Sequence, residues 1–210
     1  MVSFSGYKFV IYDANCIIYY CFRTEHASRK GPLVVIDSPP FTDITRNLTQ
    51  YLIKKNIKIR TILVIFSELT EDVLSSAIKV RISDEQLRKD LGLARGEKFP
   101  EDIEYKLNRN IKKKIKNLRY ESWFELDDAY GPNFSQLAAL RIFFKEKAFF
   151  AENKGMPHYN DMTLILYSKD TMQPLVSNDG HIHDLKDDLQ KEGYAHKIIP
   201  LMECKQENLN

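Results

Sequence analysis

The sequence predicts an α/β protein of three layers, with helices on both faces of a central parallel sheet of about four strands. Two observations carry that expectation. Apolar runs at 8–13, 61–66, 174–178 and 197–201 are separated by stretches in which apolar residues recur at helical spacing. Two of those runs, Phe9-Val10-Ile11-Tyr12 and Pro174-Leu175-Val176-Ser177-Asn178, also end on an aspartate, Asp13 and Asp179, just before a helical pattern resumes. Buried parallel strands read as continuous apolar runs, and open parallel sheets bind ligands outside the carboxyl ends of their strands. With the first strand between the second and third, Asp13 and Asp179 meet at one rim.

The remaining elements follow in order. A short helix is expected at 15–23, then a loop over 24–41 with one edge strand at 33–36 that Pro39 and Pro40 stop. Thr42 or Asp43 caps a helix carrying Ile44, Leu48, Tyr51 and Leu52. After the strand at 61–66, Ser67 to Asp72 opens a helix with Val73, Leu74, Ala77 and Ile78 on one face. Ser83 and Gln86 have capping-box spacing for a helix that Gly92 ends. Pro100 starts a long amphipathic helix whose stripe is Ile103, Leu107, Ile111, Ile115 and Leu118. An apolar helix is expected over 134–151, one beginning at Asp161 with Asn160 as its cap, and one over 182–192. The chain reads as a single domain over 1–203. Within it, 83–153 is a helical insertion forming a lobe between strands two and three, and 204–210 is a loose tail.

The composition, 43% hydrophobic and 29% charged, is that of a globular domain with a sizeable core. No apolar run has the length of a membrane span, so no membrane association is expected. Cys16, Cys21 and Cys204 form no framework, which points to a reducing, cytoplasmic setting. The net charge of +2 conceals a basic block: residues 105–120 carry seven Lys and Arg and no acid, which leaves the rest of the chain at −5. A basic helix on an otherwise acidic protein suits a polyanion, and equally suits a solvated face.

Acids stand at four strand ends or helix starts: Asp13, the group Glu68, Glu71 and Asp72, then Asp161 and Asp179. Each alone can be a cap or a dipole partner. Together they fall where one edge of a parallel sheet gathers them. A pocket of carboxylates repels itself unless a cation sits in it, and Mg2+ or Mn2+ takes hard oxygen ligands.

With these residues in view, the chain resembles a PIN-domain nuclease over nearly its whole length. Val10-Ile11-Tyr12-Asp13-Ala14-Asn15 is similar to that family's opening strand. His158-Tyr159-Asn160-Asp161-Met162 resembles its aspartate at a helix start, and Pro174-Leu175-Val176-Ser177-Asn178-Asp179 its strand-ending aspartate. The resemblance implies a PIN-like fold and hydrolysis of phosphodiester bonds, RNA rather than DNA, assisted by Mg2+ or Mn2+. It implies that Asp13, Asp161 and Asp179 hold the metal and that a fourth acid completes the site. That role is placed on Asp72, which precedes the aliphatic Val73, with Glu71 the close second. Asn15 and Asp184 are lesser candidates for supporting the ligands. An inhibitory protein partner and a homodimer are further expectations of the resemblance.

Lys112, Lys113, Lys114 and Lys116, off the apolar stripe of the long helix, are candidates for phosphate contact, with Tyr105, Tyr120 and Trp123 nearby for stacking. His181 and His183 have metal-ligand spacing but diverge at a helix start. No Gly-rich phosphate loop and no Gly-x-Ser-x-Gly is present. Two other readings remain: an inactive PIN-like module that binds nucleic acid or docks a protein, and a phosphatase with Asp13 as nucleophile. The second is disfavoured by Asn15, which stands where that chemistry wants another acid.

Overall fold

The protein is described here by a computed structural model covering residues 1–22, 25–26, 34–35, 38–70, 94, 101–148 and 157–209. In chain order its first elements are β1 (Phe9–Tyr12), α1 (Ala14–Cys21), β2 (Glu25–His26), β3 (Val34–Val35), α2 (Phe41–Lys54), β4 (Lys58–Ile62) and α3 (Leu63–Thr70). There follow α4 (Glu101–Leu118), β5 (Phe124–Asp127), α5 (Phe134–Ala148), α6 (Tyr159–Thr171) and β6 (Pro174–Ser177). The chain closes with α7 (Gly180–Asp184), α8 (Lys186–Lys191), β7 (Lys197–Pro200) and two short 3-10 turns at Leu201–Cys204 and Gln206–Asn208.

Five strands form one parallel sheet in the order β5-β4-β1-β6-β7. The chain winds outward from β1 through β4 to β5, then returns to β6 and continues to β7. Its direction therefore reverses between β1 and β6, the place where open α/β sheets leave a crevice at their carboxyl ends. Contacts gather α1 to α4 on one face and α5, α6 and α8 on the other, the arrangement that right-handed crossovers produce. On the first face α1 packs against α2 and α4. On the second, α5 packs on α6, and Lys147 of α5 pairs with Asp188 of α8 at 2.9 Å.

The burial pattern explains the local choices. All four residues of β1 and of β6 are buried, as a strand covered on both faces requires. The central pair is also clipped by side chains. At its start, Gln173 Oε1 accepts from the backbone N–H groups of Lys8 (3.0 Å) and Phe9 (3.2 Å). Beneath α2, whose Ile44, Leu48 and Leu52 face inward, the Tyr12 hydroxyl meets Thr49 Oγ1 at 3.1 Å.

Four expectations are corrected. The sheet has five strands, not about four, because β5 lies inside the stretch read as a purely helical insertion. β5 is a short edge strand with one buried residue, Phe124, so it leaves almost no apolar signature. It is held by β4, where Arg60 pairs with Glu125 and stacks its guanidinium 3.8 Å from the Phe9 ring centroid. The second strand lies at Lys58–Ile62 rather than 61–66: Ile65, Phe66 and Leu69 are buried at helical spacing while Leu63 is exposed, so the apolar run turns into α3. The segment near 33–36 does not edge the main sheet; β3 pairs antiparallel with β2.

The fourth correction concerns 204–210. Cys204 is fully buried, Val2 N–H donates to Asn208 O at 2.7 Å, and Val2 bridges Leu209. The end of the chain thus fastens the beginning. The expected helix at 83–92 lies outside the described residues, as does the continuation after Thr70. No helix among the described residues is long and apolar enough to cross a membrane.

A chain ending at Glu203 is expected to lose about 1–3 kcal/mol of stability, from the lost burial of Cys204 and the lost tie to Val2. Urea unfolding measures this, and a loose tail would leave the midpoint unchanged.

Candidate carboxylate site

Four acids stand along the carboxyl rim, around the reversal point between β1 and β6. Asp13 follows β1 directly and is only 3% exposed. Its Oδ1 accepts from Cys16 N–H at 2.7 Å, capping α1. Its Oδ2 accepts from the Ser177 hydroxyl at 2.6 Å and from Asn178 N–H at 2.9 Å, which ties the end of β1 to the end of β6. Burial pushes the Asp13 carboxyl above its ordinary value, and these donors push back.

Asp179 lies two residues past β6 and caps α7: its Oδ1 accepts from His181 N–H at 2.7 Å and faces the His181 ring at 3.2 Å. Its own N–H donates to Ser177 Oγ at 3.0 Å. Ser177 therefore sits between the two aspartates, donating to one and accepting from the backbone of the other.

Asp161 is the third residue of α6, and its Oδ2 accepts from His158 N–H at 3.0 Å. Its carboxyl is pushed up to about 6. Burial is the largest cause, the negative charge of Asp179 comes next, and Asp13 and Glu68 add to it against the opposing His158 hydrogen bond. Glu68, on α3, accepts from Asn160 Nδ2 at 2.8 Å. That bond joins the two helical layers over the sheet edge. Four carboxylates from four elements therefore share one electrostatic field.

Whether this set suits a divalent ion has two answers. The donors are all hard oxygens, and the Asp161 carboxyl is raised first by burial and then by the charge of Asp179, a repulsion that such an ion relieves. Their spacing is wider than a closed cage: among the described residues, no three His, Cys, Asp or Glu side chains come close enough together to hold an ion. Asp13, expected as a direct ligand, already accepts three protein hydrogen bonds and has about one lone-pair site left. Its geometry is that of an anchor that positions Ser177, Asn178 and, through them, Asp179. Among the described residues Asp161, Asp179 and Glu68 each accept protein hydrogen bonds through one carboxylate oxygen, whereas Asp13 uses both.

The other candidates sort as follows. Asp72 and Glu71 lie outside the described residues; the charge of Glu68 reaches Asp161. Asn15, second residue of α1, is half-buried, and Asp184 is exposed at the end of α7. Asn160 is not the cap of α6, which begins at Tyr159 after His158; it holds Glu68 instead. Ser177 and Asn160 had no distinguishing signal in the sequence, since a hydroxyl or amide beside an acid is ordinary. His181 and His183 engage different partners, Asp179 and the Ser177 carbonyl.

The basic helix α4 divides its lysines. Arg109, Lys112, Lys113 and Lys116 line one open groove of about 700 Å³ together with Tyr105. Lys114 faces elsewhere, into a cavity of about 380 Å³ beside Cys21, Arg46 and Glu121. The spacing 109, 112, 113, 116 is one helical face, and Lys114 is off it.

Comparison of the chain with protein-family models, curated proteins and solved structures gives no match.

The raised carboxyl of Asp161 has a consequence for stability. Folded Asp161 holds its proton more tightly than an unfolded aspartate, whose value is about 4. Its favourable contribution is therefore complete below about pH 4 and is lost as pH rises through about 6. In metal-free buffer, Asp161→Asn should gain stability relative to the parent as pH rises from 4 to 7. Urea midpoints at several pH values test this; a difference constant across that window would mean that neither burial nor the other acids raise the Asp161 carboxyl.

Proposed function

We propose that this protein is a metal-dependent, PIN-like nuclease hydrolysing phosphodiester bonds, RNA rather than DNA, at the rim formed by Asp13, Asp161, Asp179 and Glu68. The observation that carries the reading is the placement of Asp13, Asp161, Asp179 and Glu68 at the reversal point of a parallel sheet, where burial and the neighbouring acids push the Asp161 carboxyl up. Uncompensated negative charge at such a crevice is costly to keep, and a hard divalent ion is the partner that relieves it. The order of motifs that resembles PIN-domain nucleases supports the same chemistry.

In this reading Asp161, Asp179 and Glu68 would hold the ion, Mg2+ or Mn2+. When bound, it supplies charge neutralisation at a phosphate oxygen and an activated water. The chain's own residues do the rest. Asp13 fixes the ends of β1 and β6 and hence the placement of Asp179. Ser177 orients both aspartates through its single hydroxyl. Asn160 holds Glu68 through its amide N–H. His181 stands against Asp179, its Nδ1 3.2 Å from the Asp179 carboxylate.

Asp179→Asn tests the site. Asparagine caps α7 nearly as well, so the fold should survive in metal-free buffer. Magnesium or manganese should raise the melting temperature of the parent and do much less for the variant. Cleavage of a labelled RNA should fall by a factor of about 100 or more. Parent-like cleavage and metal response in the variant would sink the proposal. A parent that binds RNA with no metal response or cleavage would mark a binding module, the outcome that the wide spacing of the carboxylates favours.

The basic groove offers an independent test. Replacing Lys112, Lys113 and Lys116 together by glutamine should weaken RNA binding and lower the salt slope by about 2–3. Lys114→Gln, turned away from that groove, should leave the slope nearly unchanged. Equal slopes for parent and triple variant would return α4 to a solvated face.

A further inference from the structure

Beside Asp161 lies a groove of about 590 Å³ between the N-terminal halves of α5 and α6. Phe134, Leu137 and Arg141 line it from α5; Pro157, Tyr159 and Met162 line it from α6 and its approach. Phe134 is 84% exposed and Tyr159 45% exposed, so two aromatic rings stand open to solvent along one groove. The local sequence accounts for Phe134: Asn133 Oδ1 accepts from Ser135 N–H at 2.9 Å and starts α5, leaving Phe134 in its first turn, outside the core. His158, also at the groove, donates its N–H to Asp161, so groove and acid rim share one residue.

We propose that this groove is a base-stacking subsite for single-stranded nucleic acid, receiving an unpaired base next to the phosphate at the acid rim. The proposal rests on the phosphodiesterase reading for the identity of that phosphate. Three features select this occupant. Phe134 and Tyr159 offer flat apolar faces, which stack on any base. Arg141, exposed at the same groove, supplies the positive charge that a phosphate backbone needs where the neighbouring rim is acidic. Continuity with Asp161 places a base in the groove within one nucleotide of the reacting bond. A base inside a duplex has both faces covered by its neighbours, so the subsite admits only unpaired strands.

The test uses binding, in the Asp179→Asn background where the strand stays intact. The probes are a fluorescent ten-nucleotide single-stranded RNA and an abasic strand of the same length. Adding Phe134→Ala and Tyr159→Ala should weaken binding of the RNA about tenfold or more, leave the abasic strand nearly unaffected, and preserve the salt slope. Adding Phe134→Tyr and Tyr159→Phe instead should restore parent-like affinity, which separates stacking from misfolding. Unchanged RNA affinity in the double alanine variant, equal losses on RNA and abasic strand, or no RNA binding before the alanines are added would each overturn the proposal. Failure of the nuclease reading shows separately, as absent metal-dependent cleavage by the unmutated protein.

Discussion

The interaction on which the rest depends is the buried carboxylate of Asp13. A carboxylate with almost no exposure is tolerable only when its oxygens are satisfied, and here a helix N-terminus, a hydroxyl and a backbone N–H do so. These donors come from two places far apart in the chain: the first turn of α1 and the exit of β6. Satisfying one acid therefore fixes the end of β1 against the end of β6, and with it the reversal of winding direction. The crevice is a by-product of that requirement. Asp179 follows two residues after Ser177, so its position is inherited from the same hydroxyl.

The rim gathers negative charge that the fold does little to balance. Helix N-termini at α1, α6 and α7 contribute partial positive charge, and each is used: Asp13, Asp161 and Asp179 all accept a backbone N–H there. Those bonds stabilise each acid singly. The Asp161 carboxyl stays raised all the same, by burial first and then by the charges of Asp179, Asp13 and Glu68. A structural role accounts for every acid taken alone, but not for their convergence. Local consistency broken at one place is the usual mark of a functional site.

Much of this was legible in the sequence because the signals were local. The strands ending at Asp13 and before Asp179 are continuous apolar runs, and their identity and neighbourhood follow from that. β5 was illegible because an edge strand needs little burial: Glu125, Leu126 and Asp127 are only partly covered. β4 was displaced because Leu63-Val64-Ile65-Phe66 suits a strand and a buried helix turn equally; only the packing of α3 against α4 decides. At the site, Asp13, Asp161 and Asp179 were legible as acids at element boundaries. Glu68 was not distinguishable from its neighbours, since its hydrogen bond to Asn160 spans 92 positions of sequence. The facing of Lys114 away from the other lysines follows from helical geometry, yet which side is outward depends on where α1 and α2 lie.

Gln173 gives the rim a mechanical property. Its amide oxygen grips the start of β1 while Asp13 grips the end, so the two central strands, paired directly only at Ile11–Leu175 and Tyr12–Val176, are riveted at both extremities. Such a pair does not fray from one end; it separates as a unit or stays closed. The floor of the crevice is therefore stiff, and Asp13 and Asp179 ride on it as fixed points. Any accommodation of a bulky or irregular ligand has to come from the walls, where the hydrogen bond from Asn160 to Glu68 ties α6 to α3 across the top.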